Sequence, residues 1–170
     1  MSRGQLAAAA ALTLGAAAWP SDAQAYLNPQ VEAEITLADE QFAAGNDFGA
    51  HQHLTNAKQL ADQHRDWEGM LILAAYYSQP PDKPSVWELE DAYSLALQYA
   101  YDLAYRDQHG PNAGANCLEG RLGLEYGILL YDVLFDGIFP TDTAPGSELR
   151  YQRDHAQTNL DKMNQTPCPP

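Results

Sequence analysis

Three of the chain's five histidines fall in one short stretch, GNDFGAHQHLTNAKQLADQH at 45–64. His51, His53 and His64 are residues of the type that bind transition metals through imidazole nitrogen. On a helix, however, His51 and His53 lie about 200° apart and cannot converge on one ion. His53 and His64 share a face, but a rise of 1.5 Å per residue separates them by about 16 Å along the axis. The spacing therefore predicts imidazoles on the polar side of a helix and no metal site. A second constellation is acidic: Glu125, Asp132 and Asp136 follow one side of an apolar segment, with His109 and His155 as further titratable groups. Carboxylate sites in helical bundles use a Glu-x-x-His spacing, which does not occur here, so a solvated edge is expected. Cys117 with His109 has the residue types of a thiol nucleophile and its base, yet a bridge to Cys168 explains the thiol more simply. There is no Gly-x-Ser-x-Gly elbow, glycine-rich phosphate loop or Cys-x-x-Cys-His haem site. These readings predict no catalytic residue, no metal and no cofactor.

Residues 1–25 read as an export leader: MSRGQ carries one arginine, LAAAAALTLGAAA is apolar and uncharged, and Ala23-Gln24-Ala25 is a small-x-small cleavage site. The apolar run is short of the ~20 residues that span a bilayer. The expectation is a cleaved signal, a mature chain from Tyr26, no stable membrane insertion after cleavage and a periplasmic or secreted location. Residues 26–170 suit a single helical domain. In an oxidising compartment Cys117 and Cys168 should pair, tying the C-terminal tail to an earlier helix. Closing a loop of about 50 residues contributes about 4 kcal/mol on the chain-entropy model.

The formal net charge is −14. Phosphate backbones and anionic membrane surfaces are repelled by such a chain, which excludes nucleic acid as a partner; a basic peptide or protein, or a bound cation, is consistent with the charge, and a solvated acidic surface suited to a salty exterior explains it without a partner.

The elements that must position these residues are helical throughout. Turn chemistry marks Gly45-Asn46-Asp47, SQPPDKPS at 78–85, HGPNAG at 109–114 and GIFPTDTAPGS at 137–147. Ile35, Ala38 and Phe42 predict a helix over 31–44, and Ala50, Leu54, Ala57 and Leu60 or Ala61 predict one over 48–64. WEGMLILAAYYS at 67–78 is apolar on most sides and should be buried between neighbours. A helix over 86–108 begins with Ser85 as N-cap and Glu88 three residues on, a capping-box spacing. Another spans 113–136, where Gly120, Gly123 and Gly127 each cost about 1 kcal/mol of helicity and signal the close approach of a neighbour. The last covers 147–163, with Leu149, Tyr151, Ala156 and Leu160 on its apolar side. No strand pattern appears.

Leu37 and Leu71 open comparable helices about 34 residues apart, one tetratricopeptide period. The first unit resembles that family in Leu37-Ala38, the turn Gly45-Asn46-Asp47-Phe48, the step from Ala50 to Leu54, and Ala57. It departs at Glu34, Gln41 and Asp62, where the pattern has Trp, Tyr and Pro. The second unit is loose, and Leu122-Gly123-x2-Tyr126 falls out of period. The fold expected is all-α, either antiparallel hairpins in a short tetratricopeptide-like solenoid or an irregular six-helix bundle. The resemblance implies a non-catalytic protein-binding scaffold or assembly factor. An accessory subunit packed permanently in an envelope or electron-transfer complex, and a small-ligand or metal-binding helical domain, are the alternatives. Tyrosines crowd the central helices, most of them expected to close helix seams with the hydroxyl at the rim. Trp67, Trp87, Tyr101 and Tyr105 are the candidate exposed anchors for a partner.

Overall fold

A computed structural model describes residues 27–78, 85–107 and 109–170, and these residues form helices and no strand. The expected leader at 1–25 and most of the turn at 78–85 lie outside the described residues. Helix α1 is Pro29–Ala43, α2 is Asp47–His64, α3 is Trp67–Tyr77 and α4 is Val86–Tyr101. Helix α5 is Ala113–Leu130 and α6 is Ala144–Met163. A π-helical turn, Asp102–Arg106, continues α4, and a second, Tyr131–Phe135, continues α5 into the short helix Asp136–Ile138.

The helix starts follow local chemistry. Asn28 caps α1 through Gln30 N–H ahead of Pro29, and Asn46 caps α2 through Gly49 N–H at 3.1 Å, after Gly45 turns the chain at φ 75°. Between α2 and α3 only two residues intervene. Arg65 adopts the left-handed conformation at φ 53°, and Asp66 then caps α3 by accepting from Gly69 N–H at 2.8 Å. Asp66 also accepts from Asn28 N–H at 2.8 Å, so one carboxylate holds the starts of α1 and α3 together. The capping box expected at α4 is altered: the Ser85 hydroxyl donates to the Glu88 carboxylate and caps no backbone N–H. Helix α6 begins earlier than its periodicity suggested, because Thr143 caps Gly146 N–H with Pro145 in the first turn.

Each helix packs on its neighbour in the chain, and contacts also join α3 to α5 and α4 to α6. Along α1 and α3, Asn28 meets Asp66 and Asp39 meets Tyr76 in the same order, so the two run parallel. Helices α3 and α5 do likewise: Trp67 sits at Gly123 and Leu71 at Gly127. Helices α2 and α4 are parallel too, through Lys58 with Asp91 and Arg65 with Asp102. The hairpins therefore lie side by side in a common orientation.

The core joins Val31, Leu54, Met70, Leu73, Leu89, Tyr93, Leu124, Phe135 and Leu149. Helix α3 is buried on almost every side, as its all-round apolarity requires. The glycines of α5 allow close contact with its neighbours. A Cβ on Gly120 would collide with the Ala100 carbonyl of α4 and the Ala104 amide of the π turn that continues it, and one on Gly127 with the Leu97 side chain. Tyr93 of α4 donates to the Gly127 carbonyl at 2.9 Å, and its ring meets Phe135 edge-on. Tyr151 departs from expectation: it is 67% exposed and stacks on His155, while Leu149, Ala156, Leu160 and Met163 form the buried face of α6. The tail returns to α5 through the Cys117–Cys168 disulfide, with Cα atoms 5.7 Å apart, and through Arg121 donating to the Thr166 carbonyl at 2.6 Å.

Two stability tests follow from this packing. Cys168→Ala should cost about 4 kcal/mol, read as a lower urea midpoint, because the unfolded chain regains the entropy of the open loop. Gly120→Ala meets helix backbone that cannot swing aside and should cost about 1–3 kcal/mol. Gly137→Ala, where a Cβ meets nothing within 4 Å, should stay within about 1 kcal/mol of the parent. Equal shifts for the two glycine variants would refute the close approach of α5 to α4.

Candidate protein-binding surface

Helix α4 buries Leu89, Ala92, Tyr93, Ala96, Leu97 and Ala100. The residues left outward recur at helix-face spacing: Trp87, Asp91, Ser94, Gln98, Tyr101 and Tyr105. Trp87 is 83% exposed and Tyr105 61% exposed, whereas Tyr101 is half-buried and stacks on Tyr105 with ring centroids 5.5 Å apart. The row thus has an indole at one end, a tyrosine pair at the other, and about 21 Å of polar helix between Trp87 and Tyr101. One turn from Trp87, Asp91 receives Lys58 Nζ at 2.5 Å.

The tyrosine end is fixed by a charge cluster that spacing alone did not reveal. Asp102, 4% exposed, is paired with Arg65 at 2.5 Å and with Arg106 at 3.1 Å. The Arg65 guanidinium also lies 5.5 Å over the Tyr99 ring, and the Tyr99 hydroxyl donates to Asp62. Burial raises the Tyr99 hydroxyl pKa above its ordinary value, and the Asp62 hydrogen bond and charge add to the effect. Breaking such a cluster on one side would leave a buried, uncompensated charge, so the end of α4 is held rigidly against α2. The available signal was a shared separation of 37 residues in Arg65 with Asp102 and Asp62 with Tyr99. It becomes legible only once α2 and α4 are known to pack in parallel.

Trp67 is a correction. It is 3% exposed, packs its indole into the slot left by Gly123, stacks on Tyr126 at 6.3 Å and donates from Nε1 to Glu119 at 3.2 Å. The missing Cβ at position 123 is the physical reason: an alanine there would reach 2.9 Å from the ring. Trp67 therefore belongs to the α3–α5 seam and is not a surface anchor. Most central tyrosines follow the seam expectation, with Tyr76, Tyr77, Tyr93, Tyr99 and Tyr131 all buried.

The groups considered for chemistry are dispersed. His53 bonds to Glu34 through Nδ1 at 2.8 Å, while His51 turns back to the Asp47 carbonyl at 2.7 Å and packs edge-on against Phe42. Beside them Phe48, Gln52, Thr55 and Asn56 complete an open depression of about 480 Å³. His64 ends α2, two residues before the Asp66 cap of α3. Among the described residues no group of three His, Cys, Asp or Glu could hold a metal ion. Cys117 is consumed in its disulfide. The acidic edge of α5 is crossed by arginines from α6: Arg153 makes two bonds to Asp132 at 2.9 and 2.8 Å, and Arg150 stands 3.9 Å from Asp136. Protein-family models, curated proteins and solved structures give no match to the chain.

Burial raises the pKa of Asp39, and the Tyr76 hydroxyl at 2.7 Å opposes that rise only in part. The folded protein consequently holds this proton more tightly than the unfolded chain, so the contribution favours folding at low pH and is lost as pH climbs through the folded pKa. Asp39→Asn keeps an acceptor for Tyr76 and removes the titration. The stability of the parent relative to Asp39→Asn should fall as pH rises above the ordinary aspartate value of 3.8, read from urea midpoints across the acid range. A rise over that interval would contradict the burial account.

Proposed function

We propose that the chain is an exported, non-catalytic protein-binding module of tetratricopeptide-like kind, acting as a scaffold or assembly factor for a basic protein or peptide. The observation that carries this reading is the outward aromatic row of α4. Trp87, Tyr101 and Tyr105 are rigid, amphipathic side chains of the kind that anchor protein interfaces, and Trp87 and Tyr105 stand in solvent.

Three further features support it. The Cys117–Cys168 bond suits an oxidising compartment. Hairpins packed side by side in one orientation suit an array that offers a continuous outer surface. A net charge of −14 attracts a basic partner and speeds encounter with it.

The test is copurification from the exported fraction, analysed by mass spectrometry. The parent should bring down a stoichiometric basic protein that high salt releases. Trp87→Ala combined with Tyr105→Ala should lose it by at least about tenfold, since anchors of this type carry about 2 kcal/mol or more when truncated. Because both side chains are exposed, the urea midpoint should stay unchanged. Retention of the partner by the double variant would exclude the α4 row as its site.

A further inference from the structure

Helix α5 has one face that no other helix among the described residues covers. Its glycine face is spent on α4. One flank turns to α3, where Glu119 and Tyr126 meet Trp67. The other turns to α6 and the tail, where Arg121 reaches Thr166 and Asp132 reaches Arg153. Between those flanks lie Leu118, Leu122, Glu125, Leu129 and Val133. Leu118 and Val133 are each 64% exposed and Leu129 37%, while Leu122 is half-buried and Glu125 is exposed. This row runs about 22 Å along the helix. Its steps of four, three, four and four residues are those of a seam into which a second helix packs. Isolated exposed leucines need no explanation, but four aliphatic side chains aligned on one uncovered face mark an interaction surface.

The charge at the centre of the row selects the occupant. Asp132 and Asp136, along the edge, are matched by Arg153 and Arg150, and Glu119 accepts from Trp67. Glu125 makes no ion pair among the described residues. It stands midway between Leu118 and Val133. A second copy of the chain docking face to face through this row would therefore bring its own Glu125 against the first, whether the two helices ran parallel in register or antiparallel. Two carboxylates in a desolvating seam repel strongly. A helix with the same apolar spacing and a lysine or arginine at its centre would instead bury the leucines and pair the carboxylate, and the excess negative charge of the chain would draw it in. We infer that the outer face of α5 is a docking surface, separate from the α4 aromatic row, for an amphipathic helix with a central basic residue.

The probe is a fluorescent helical peptide of about three heptads, with leucines at seam spacing and lysine at the central position, compared with the same peptide carrying glutamate there. Titrated with the purified chain, the lysine peptide should bind at least about tenfold more tightly than the glutamate peptide. Glu125→Lys should invert that preference, and Leu129→Asp should abolish binding of both. Because these positions are exposed, an unchanged urea midpoint shows that each variant is folded. Trp87→Ala should leave peptide binding intact, which separates this surface from the α4 reading: loss of peptide binding in Trp87→Ala would overturn the inference and leave the α4 row in place. Equal affinity for both peptides, or no inversion in Glu125→Lys, would overturn the central charge pair. Absence of binding would overturn the surface. Ultracentrifugation showing a dimer that Leu129→Asp dissociates would assign the face to a second copy, and binding seen only after removal of residues 1–25 would assign it to that segment. Either result would overturn the proposed partner.

Discussion

The contact on which the rest of the molecule depends is the seating of α5 against α4 and α3 through Gly120, Gly123 and Gly127. At Gly120 the helices approach until backbone meets backbone, and at Gly123 the absent side chain becomes the slot for the Trp67 indole. At Gly127 the carbonyl lies open to Tyr93 and the surface to Leu97. Three glycines cost α5 about 3 kcal/mol of intrinsic helicity. Dispersion and burial in the seam offset that cost, because close-packed helices gain contact over their whole length. The same seating decides which side of α5 is left for solvent, and so creates the uncovered row from Leu118 to Val133.

A second constraint is the scarcity of positive charge. The chain has nine lysines and arginines against 23 aspartates and glutamates, and several of the described cations join elements. Lys58 and Arg65 tie α2 to α4, Arg153 ties α6 to the end of α5, and Arg121 ties α5 to the tail. Much of the positive charge among the described residues is thereby spent on cross-links between elements, in a chain that carries a net charge of −14. The exposed aromatics of α4 and the leucines of α5 sit within this acidic surround. Such an arrangement suits the basic partner proposed for the chain, with charge steering the encounter and apolar contact supplying affinity.

Element type and order were legible in the sequence because helical periodicity, caps and glycine placement pointed the same way. The α1–α2 hairpin follows from Gly45-Asn46-Asp47 with Ala50, Leu54 and Ala57, and the glycines of α5 foretold a close neighbour. The pairing of Cys117 with Cys168 followed from their being the only two cysteines. What the sequence hid were facts of tertiary placement. Trp67 looked like an exposed anchor because nothing nearby in the chain reports the slot at Gly123, more than 50 residues on. Tyr151 was grouped with Leu149, Ala156 and Leu160, yet those three turn inward with Met163 and Tyr151 alone stays in solvent. The Asp102 cluster depends on Arg65 at the far end of another helix, and a π turn cannot be told from an α turn by periodicity. Surface sites are hardest to read, since outward residues obey no packing pattern and only the finished fold shows which of them line up.

The account stands on the claim that Trp87 lies in an occupied interface. Replacing Trp87 with a photo-crosslinking benzophenone residue, and Ser147 likewise as an exposed control on another helix, puts that claim to a direct test in the exported fraction. Irradiation should produce a discrete heavier adduct containing a second polypeptide at position 87 and none at 147. No adduct at 87, or the same adducts from both positions, would contradict the account.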